Sequence, residues 1–236
     1  HMEKEPVYPM RINKYLAWKK HSTRRGADKL INEGKVFLNG KIAVLGDKVQ
    51  KDDNVEVRFR GKVKPYLYFA YNKIRGIVTH SAEKGAKDIE DVFPVKGVFP
   101  VGRLDKDSHG LIILTNDGRI TERLLGPEHA HEKEYVVKTA NRLRDSFKKN
   151  IEKLNKIESE KIKPCKVEIL SDYLFKIILT EGKKHQIRRM CSALFQEVED
   201  LKRVRVMNIE LDKLGEGQYR KIESKELEKF LRSLDL

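Results

Sequence analysis

The chain has 236 residues, enough for one large or two modest domains with a substantial core. Fifty Lys and Arg against 36 Asp and Glu give a net charge of +14, which points to a polyanionic partner rather than an acidic small molecule. There is no run of about 18 apolar residues and no charged segment leading into an apolar one, so neither a spanning helix nor an export signal is expected. Cys165 and Cys191 are too few for a disulfide framework or a zinc knuckle; incidental thiols in a soluble cytosolic protein are expected. His1-Met2 reads as an expression remnant at the head of a flexible segment, residues 1–9.

Residues 10–59 read as a small module. Arg11 to Lys20 sets Ile12, Tyr15 and Leu16 on one helical face; Ser22 or Thr23 caps a second helix carrying Ala27, Leu30 and Ile31, and Gly34 stops it. Val36-Phe-Leu38 and Lys41-Ile-Ala43 flank Asn39-Gly40, a type I′ hairpin signal, and Val55 to Phe59 alternates as a strand. Residues 60–66, charged and containing Pro65, form a linker. From residue 67 to the C-terminus the spacing predicts a strand at Leu67–Tyr71, a turn over Asn72–Gly76, and a polar loop, Gly102–Gly110. That loop feeds the apolar strand Leu111–Leu114, which ends in a turn at Thr115–Gly118. Further strands are expected at Glu134–Lys138, Lys166–Leu170, Leu174–Leu179 and Val204–Leu211. Helices are expected at Leu143–Leu154 and Lys183–Phe195, with a last one capped by Ser224. Strands and helices without regular βαβ alternation indicate an α+β fold with a mixed, largely antiparallel sheet.

The Gly102–Gly110 loop combines a carboxylate, a guanidinium and two glycines beside a buried strand, a plausible reaction centre. Asp105-x-Asp107 starts like a calcium loop, but Asn116 stands where the bidentate Glu is needed, and no Gly-Lys-Ser/Thr follows to make a phosphate loop. Pro164-Cys165 lacks the second cysteine of a zinc deaminase, and no glycine-rich nucleotide fingerprint follows a strand.

Phe99-Pro-Val-Gly-Arg-Leu-Asp105, Ser108-x-Gly110 and Leu111-Ile-Ile-Leu-Thr-Asn-Asp-Gly118 together resemble the signature of the RsuA family of RNA pseudouridine synthases. Glu132-Lys-Glu-Tyr135 and Gln186-Ile-Arg-Arg-Met190 are most similar to its RluF-type branch, which implies ribosomal RNA of the large subunit (23S) as substrate, with 16S or transfer RNA as alternatives. Arg11-Ile-Asn-Lys-Tyr-Leu-Ala17, Ser22-Thr-Arg-Arg25 and Gly34-Lys-Val-Phe-Leu-Asn-Gly40 resemble the S4 RNA-binding domain. A non-catalytic S4-type RNA-binding protein would explain that module but not the later motifs.

Making pseudouridine breaks the C1′–N1 bond of uridine, turns the base and joins C5 to C1′. Substrate and product are isomers, so no redox cofactor, ATP or metal is required. The resemblance implies Asp105 as the carboxylate, attacking the sugar carbon or removing its proton. It implies Arg188 as the partner that keeps Asp105 ionised, and Tyr135 as the ring that stacks on the extruded uracil and moves a proton at C5. Arg103 would help displace the base. Lys19, Lys20, Arg24, Arg25, Lys29 and Lys35 would form the phosphate-facing surface of the S4 module, and Arg189 would face RNA or solvent. His109, His129, His131 and His185 lack metal-ligand spacing. A monomer without a membrane partner is expected. Relatives usually carry Pro where Ile74 stands, a departure that bears on turn rigidity rather than chemistry.

Overall fold

The computed structural model describes residues 7–58, 65–80, 85–126 and 128–236. Residues 1–6 of the expected N-terminal segment, Phe59 of the expected strand and residues 60–64 of the expected linker lie outside them.

The N-terminal module runs β1 (Met10–Arg11), α1 (Ile12–Trp18), α2 (Arg24–Asn32), β2 (Val36–Leu38), β3 (Lys41–Ile42), β4 (Lys48–Val49) and β5 (Val55–Val57). Thr23 caps α2, its Oγ1 accepting from the Gly26 N–H at 3.1 Å. Asn39 (φ 50°) and Gly40 (φ 81°) both take left-handed backbone, as a type I′ turn requires, and pair Phe37 with Ile42. Ile12, Leu16, Ala27, Ile31, Val36 and Val49 close a core of their own.

The larger unit runs β6 (Tyr68–Lys73), α3 (Ile89–Val92), β7 (Phe99–Val101), β8 (His109–Thr115), α4 (Arg119–Leu125), β9 (Lys133–Thr139) and α5 (Phe147–Lys153). It continues through β10 (Lys156–Ile157), β11 (Glu160–Lys161), β12 (Lys166–Ser171), β13 (Leu174–Leu179), α6 (Gln186–Ala193) and β14 (Val198–Val206). It ends with β15 (Ile209–Glu210), β16 (Tyr219–Lys221) and α7 (Ser224–Ser233). Its sheet is ordered β12-β13-β9-β14-β8-β6-β16, with β7 beside β8 and β15 beside β14. Among the described residues every pairing of this sheet is antiparallel but one: β14 and β8 run parallel, joined at Lys202–His109 and Arg203–Gly110. Alternation along β8 divides the core: Ile112 and Leu114 face α5, α6 and α3, whereas Leu111 and Ile113 face α4 and α7. The architecture is the α+β arrangement expected. No described helix is long and apolar enough to cross a membrane.

Several boundaries moved. β6 carries on through Asn72 and Lys73 where a turn was expected, because both side chains are buried and bonded inside. The expected strand Val204–Leu211 is instead the end of β14, a turn at Met207 (φ 53°) and β15. Ser224 opens α7 without capping it; Glu223 precedes the helix, with no side-chain cap bond. The helices at Leu143–Leu154 and Lys183–Phe195 are the shorter α5 and α6.

Candidate active site

The segment between β7 and β8 is gripped by its carbonyl oxygens. Lys73, fully buried at the end of β6, donates from Nζ to the carbonyls of Ser108 (2.7 Å), Ile74 (3.0 Å), Asp105 (3.3 Å) and Lys106 (3.4 Å). The Thr79 hydroxyl donates to the Leu104 carbonyl at 2.7 Å and accepts from the Leu104 N–H at 3.1 Å. Arg203, buried in β14, donates to the carbonyls of Leu111 (2.8 Å) and Arg103 (3.3 Å). Side chains from separate elements therefore fix the loop at Arg103, Leu104, Asp105, Lys106 and Ser108, the kind of support that holds a reacting group in place. Burial pulls the Lys73 ammonium down to about 8, against the opposing pull of Asp105 and Asp107.

Gly110 makes the junction possible. It sits at φ 107°, and a Cβ there would lie 2.2 Å from the Arg203 carbonyl oxygen. Only a residue without a side chain lets β8 approach β14 this closely.

Asp105 is carried at the rim of this scaffold, its carboxylate about one-third exposed. Facing it at 3.5 Å is Nε2 of His185, an ion pair when the imidazole is protonated. His185 precedes α6 in left-handed backbone, φ 51°. The direct Arg188–Asp105 pair expected from sequence is not among the ion pairs of the described residues. One turn into α6, the Arg188 guanidinium reaches the buried Ser108 hydroxyl instead, at 3.3 Å, and so touches the same loop three residues further on. A histidine that sequence spacing had set aside takes the place at the carboxylate. Tyr135 lies in β9, buried opposite Arg203, which in turn pairs with Gly110; ring, guanidinium and glycine thus occupy one rung across three strands. Arg103 is exposed at the head of the loop.

Residues 67–193 match the family model described as RNA pseudouridylate synthase, more than half of the chain, and residues 10–55 match the S4 domain. The chain belongs to the RNA pseudouridylate synthase family. It is 39% identical over 228 residues to the Dual-specificity RNA pseudouridine synthase RluF of Shigella flexneri, covering 94% of this chain and 78% of that protein. It is 34% identical to the Ribosomal small subunit pseudouridine synthase A of Haemophilus influenzae, covering 94% and 100%. A solved structure described as a pseudouridylate synthase superposes with a TM-score of 0.68 at 30% identity, covering 95% of this chain and 99% of that one.

In this pseudouridine synthase the basic residues expected to meet RNA fall into two groups. Arg24 and Arg25 open α2 exposed, and the Lys29 side chain is 77% exposed with Glu33 at 3.9 Å. The others are engaged within the protein. Lys19 is paired with Glu122 of α4 and lies over the Trp18 ring, Lys35 is 2.6 Å from Glu33, and Arg189 is 2.9 Å from Glu160. Lys20, in left-handed backbone (φ 60°) after α1, adds its positive charge to those lowering His80. The Lys19–Glu122 contact turns a residue expected to face phosphate into a tie between the S4 module and α4. Among the described residues no three His, Cys, Asp or Glu side chains come together as a metal site. Cys165 and Cys191 are buried, and burial pushes their thiols up to about 11 and about 12, so both are inert.

Proposed function

We propose that this enzyme converts a uridine of ribosomal RNA to pseudouridine, with Asp105 as the catalytic carboxylate. The observation that carries this reading is the loop gripped by Lys73, Thr79 and Arg203, which offers the Asp105 carboxylate at its rim with His185 and the Arg188 guanidinium beside it. Asp105 acts at C1′ of the ribose. Tyr135 stacks on the extruded uracil and moves a proton at C5, and Arg188 steadies the loop through Ser108 while contributing positive charge near the ionised carboxylate. Arg103, exposed beside the cleft, helps hold the base out of its helix. Residues 67–236 carry the chemistry and residues 10–59 grip the RNA, Arg24, Arg25 and Lys29 contacting phosphates directly. Lys19, Lys20, Lys35 and Arg189 join them by exchanging protein partners for phosphate. A cytoplasmic monomer fits these roles.

Large-subunit (23S) RNA is the first substrate to test, in keeping with the 39% identity to RluF. Small-subunit RNA is the second, because the Haemophilus influenzae relative is named for it. The test is tritium release from 5-labelled uridine in transcribed 23S, 16S and transfer RNA, followed by carbodiimide primer extension to locate the product. Release from one ribosomal RNA by the wild type, and none by Asp105→Asn of unchanged circular dichroism and RNA affinity, is the expected outcome. Activity of Asp105→Asn within tenfold of wild type removes Asp105 from its role.

A further inference from the structure

Helix α6 ends in a paired-bond motif that normally calls for glycine. The Gln196 N–H donates to the Cys191 carbonyl at 2.9 Å and the Phe195 N–H to the Ser192 carbonyl at 3.0 Å, leaving Phe195 at the left-handed position, φ 62°. A phenylalanine there is strained, and its ring is not buried in compensation: Phe195 is 72% exposed. The Asn141 side chain holds its carbonyl at 2.9 Å, so the backbone presenting the ring is fixed.

The ring stands between two recesses. The larger, about 460 Å³, runs from Phe195 past Val198 and Ser192 to Arg188, the residue that touches the reaction loop through Ser108. The smaller, about 120 Å³, is lined by Arg144, Ser146 and Asn150, and the Arg144 guanidinium lies 5.1 Å from the ring centroid. Arg144 lines the smaller recess and not the larger, so the ring is backed by a cation on one side and open toward Arg188 on the other. Glu197 also lines the larger recess, which disfavours a phosphate there and suits the amino edge of a base.

An exposed ring braced by arginine is the usual platform on which proteins stack unpaired bases. We propose that Phe195 is a stacking platform for an unpaired base flanking the target uridine, seated in the recess that leads to Arg188. The recess ends at Arg188, whose guanidinium reaches Ser108 of the loop carrying Asp105, so the occupant is the same RNA strand rather than a separate ligand. This inference rests on the ribosomal-RNA reading above, and affinity and turnover are measured separately so that the two can fail independently.

The experiment compares wild type with Phe195→Ala, Phe195→Gly and Phe195→Trp on transcribed 23S and 16S RNA, by filter binding over a range of salt and by tritium release. The alanine and glycine variants are expected to lose about 5- to 100-fold in affinity and to raise KM, with the loss falling on KM rather than kcat and tryptophan restoring it. The slope of log affinity against log salt should not change, because stacking releases no counterions. Phe195→Gly, better suited to φ 62°, should melt no lower than wild type while binding RNA more weakly, a combination that damage to folding cannot produce. Alanine and glycine variants that bind both RNAs as tightly as wild type overturn the proposal, as does a loss accompanied by a flatter salt slope. A wild type that binds RNA but releases no tritium overturns the proposed function alone, and the binding comparison still decides the platform.

Discussion

Lys73→Met tests whether the grip on the loop serves catalysis more than stability. Methionine keeps an unbranched stem and removes the ammonium. Of the four carbonyls it serves, Asp105 also accepts from the Ser108 N–H (3.0 Å) and Lys106 from the Gly76 N–H (2.8 Å), so the loss concentrates on Ile74 and Ser108. Two carbonyls deprived of a buried donor cost about 2–6 kcal/mol together. Against this, a lysine lowered from 10.5 to about 8 carries a net penalty of roughly 3 kcal/mol, burial outweighing the pull of Asp105 and Asp107, and methionine relieves it. The net change in stability is therefore small, between about 1 kcal/mol gained and about 3 kcal/mol lost, or a fall in Tm of at most about 12 °C for a chain of this length. Turnover should fall far more, about 10²-fold, because a carboxylate displaced by an ångström misses its target atom. Thermal unfolding followed by circular dichroism, and tritium release at a temperature where the variant is fully folded, give the two quantities. A folded Lys73→Met enzyme within threefold of wild-type kcat would refute the reasoning.

Four shorter expectations stand beside it. Tyr135→Phe should keep wild-type stability and lose about 10²-fold in turnover, whereas Tyr135→Ala should also cost about 3–5 kcal/mol in a denaturant titration, since the ring is buried. Gly110→Ala should fail to fold or lose more than about 4 kcal/mol, while Gly102→Ala, at φ 82° with only a Leu125 methyl at 3.5 Å, should lose about 1–2 kcal/mol by the same titration. Burial, then Lys20 and Arg103, lower His80 to about 3, so the unfolded chain binds its proton first as pH falls below 6.5. Its share of stability is complete above 6.5 and is lost toward 3, about 1 kcal/mol of it between pH 6.5 and 5.5, and His80→Phe should remove that slope in paired denaturant titrations. Replacing Arg24 and Arg25 together by alanine should flatten the salt dependence of RNA affinity by about two, measured by filter binding.

What the sequence disclosed was whatever depends on neighbours along the chain. The Asn39-Gly40 turn, the Thr23 cap and the alternation of Leu174–Leu179 are local and were legible. The roles of Lys73 and Arg203 were not. A lysine in Asn-Lys-Ile-Arg-Gly reads as a solvated turn, and its burial follows only from the carbonyls that residues 105–108 bring to it from another element. β14 was half-missed for a related reason: Glu199, Asp200, Lys202, Arg203 and Arg205 hide a central strand behind charge, with Arg75 at 2.5 Å and His109 at 2.9 Å from the Asp200 carboxylate. The motif pattern led to Asp105, Tyr135 and Arg188. The contacts around them, His185 at the carboxylate and Arg188 on Ser108, depend on where α6 starts, and a left-handed histidine at that start leaves no mark in a pattern of residue types.

The single parallel contact in the main sheet has a mechanical consequence. β9 and β14 share seven registered pairs and β6 and β8 share six, but β14 meets β8 through only two. The backbone ladder of the sheet is thus two leaves joined along a short spine, with side chains packed across it. One leaf bears Lys73, Thr79 and the Asp105 loop; the other bears Tyr135, His185 and Arg188. The proposed mechanism asks a group from each leaf to meet over one nucleotide, so its alignment depends on the narrowest stitch in the fabric. Warming should pull that stitch open before either leaf frays, and the enzyme should fall silent at temperatures where its strands are still intact.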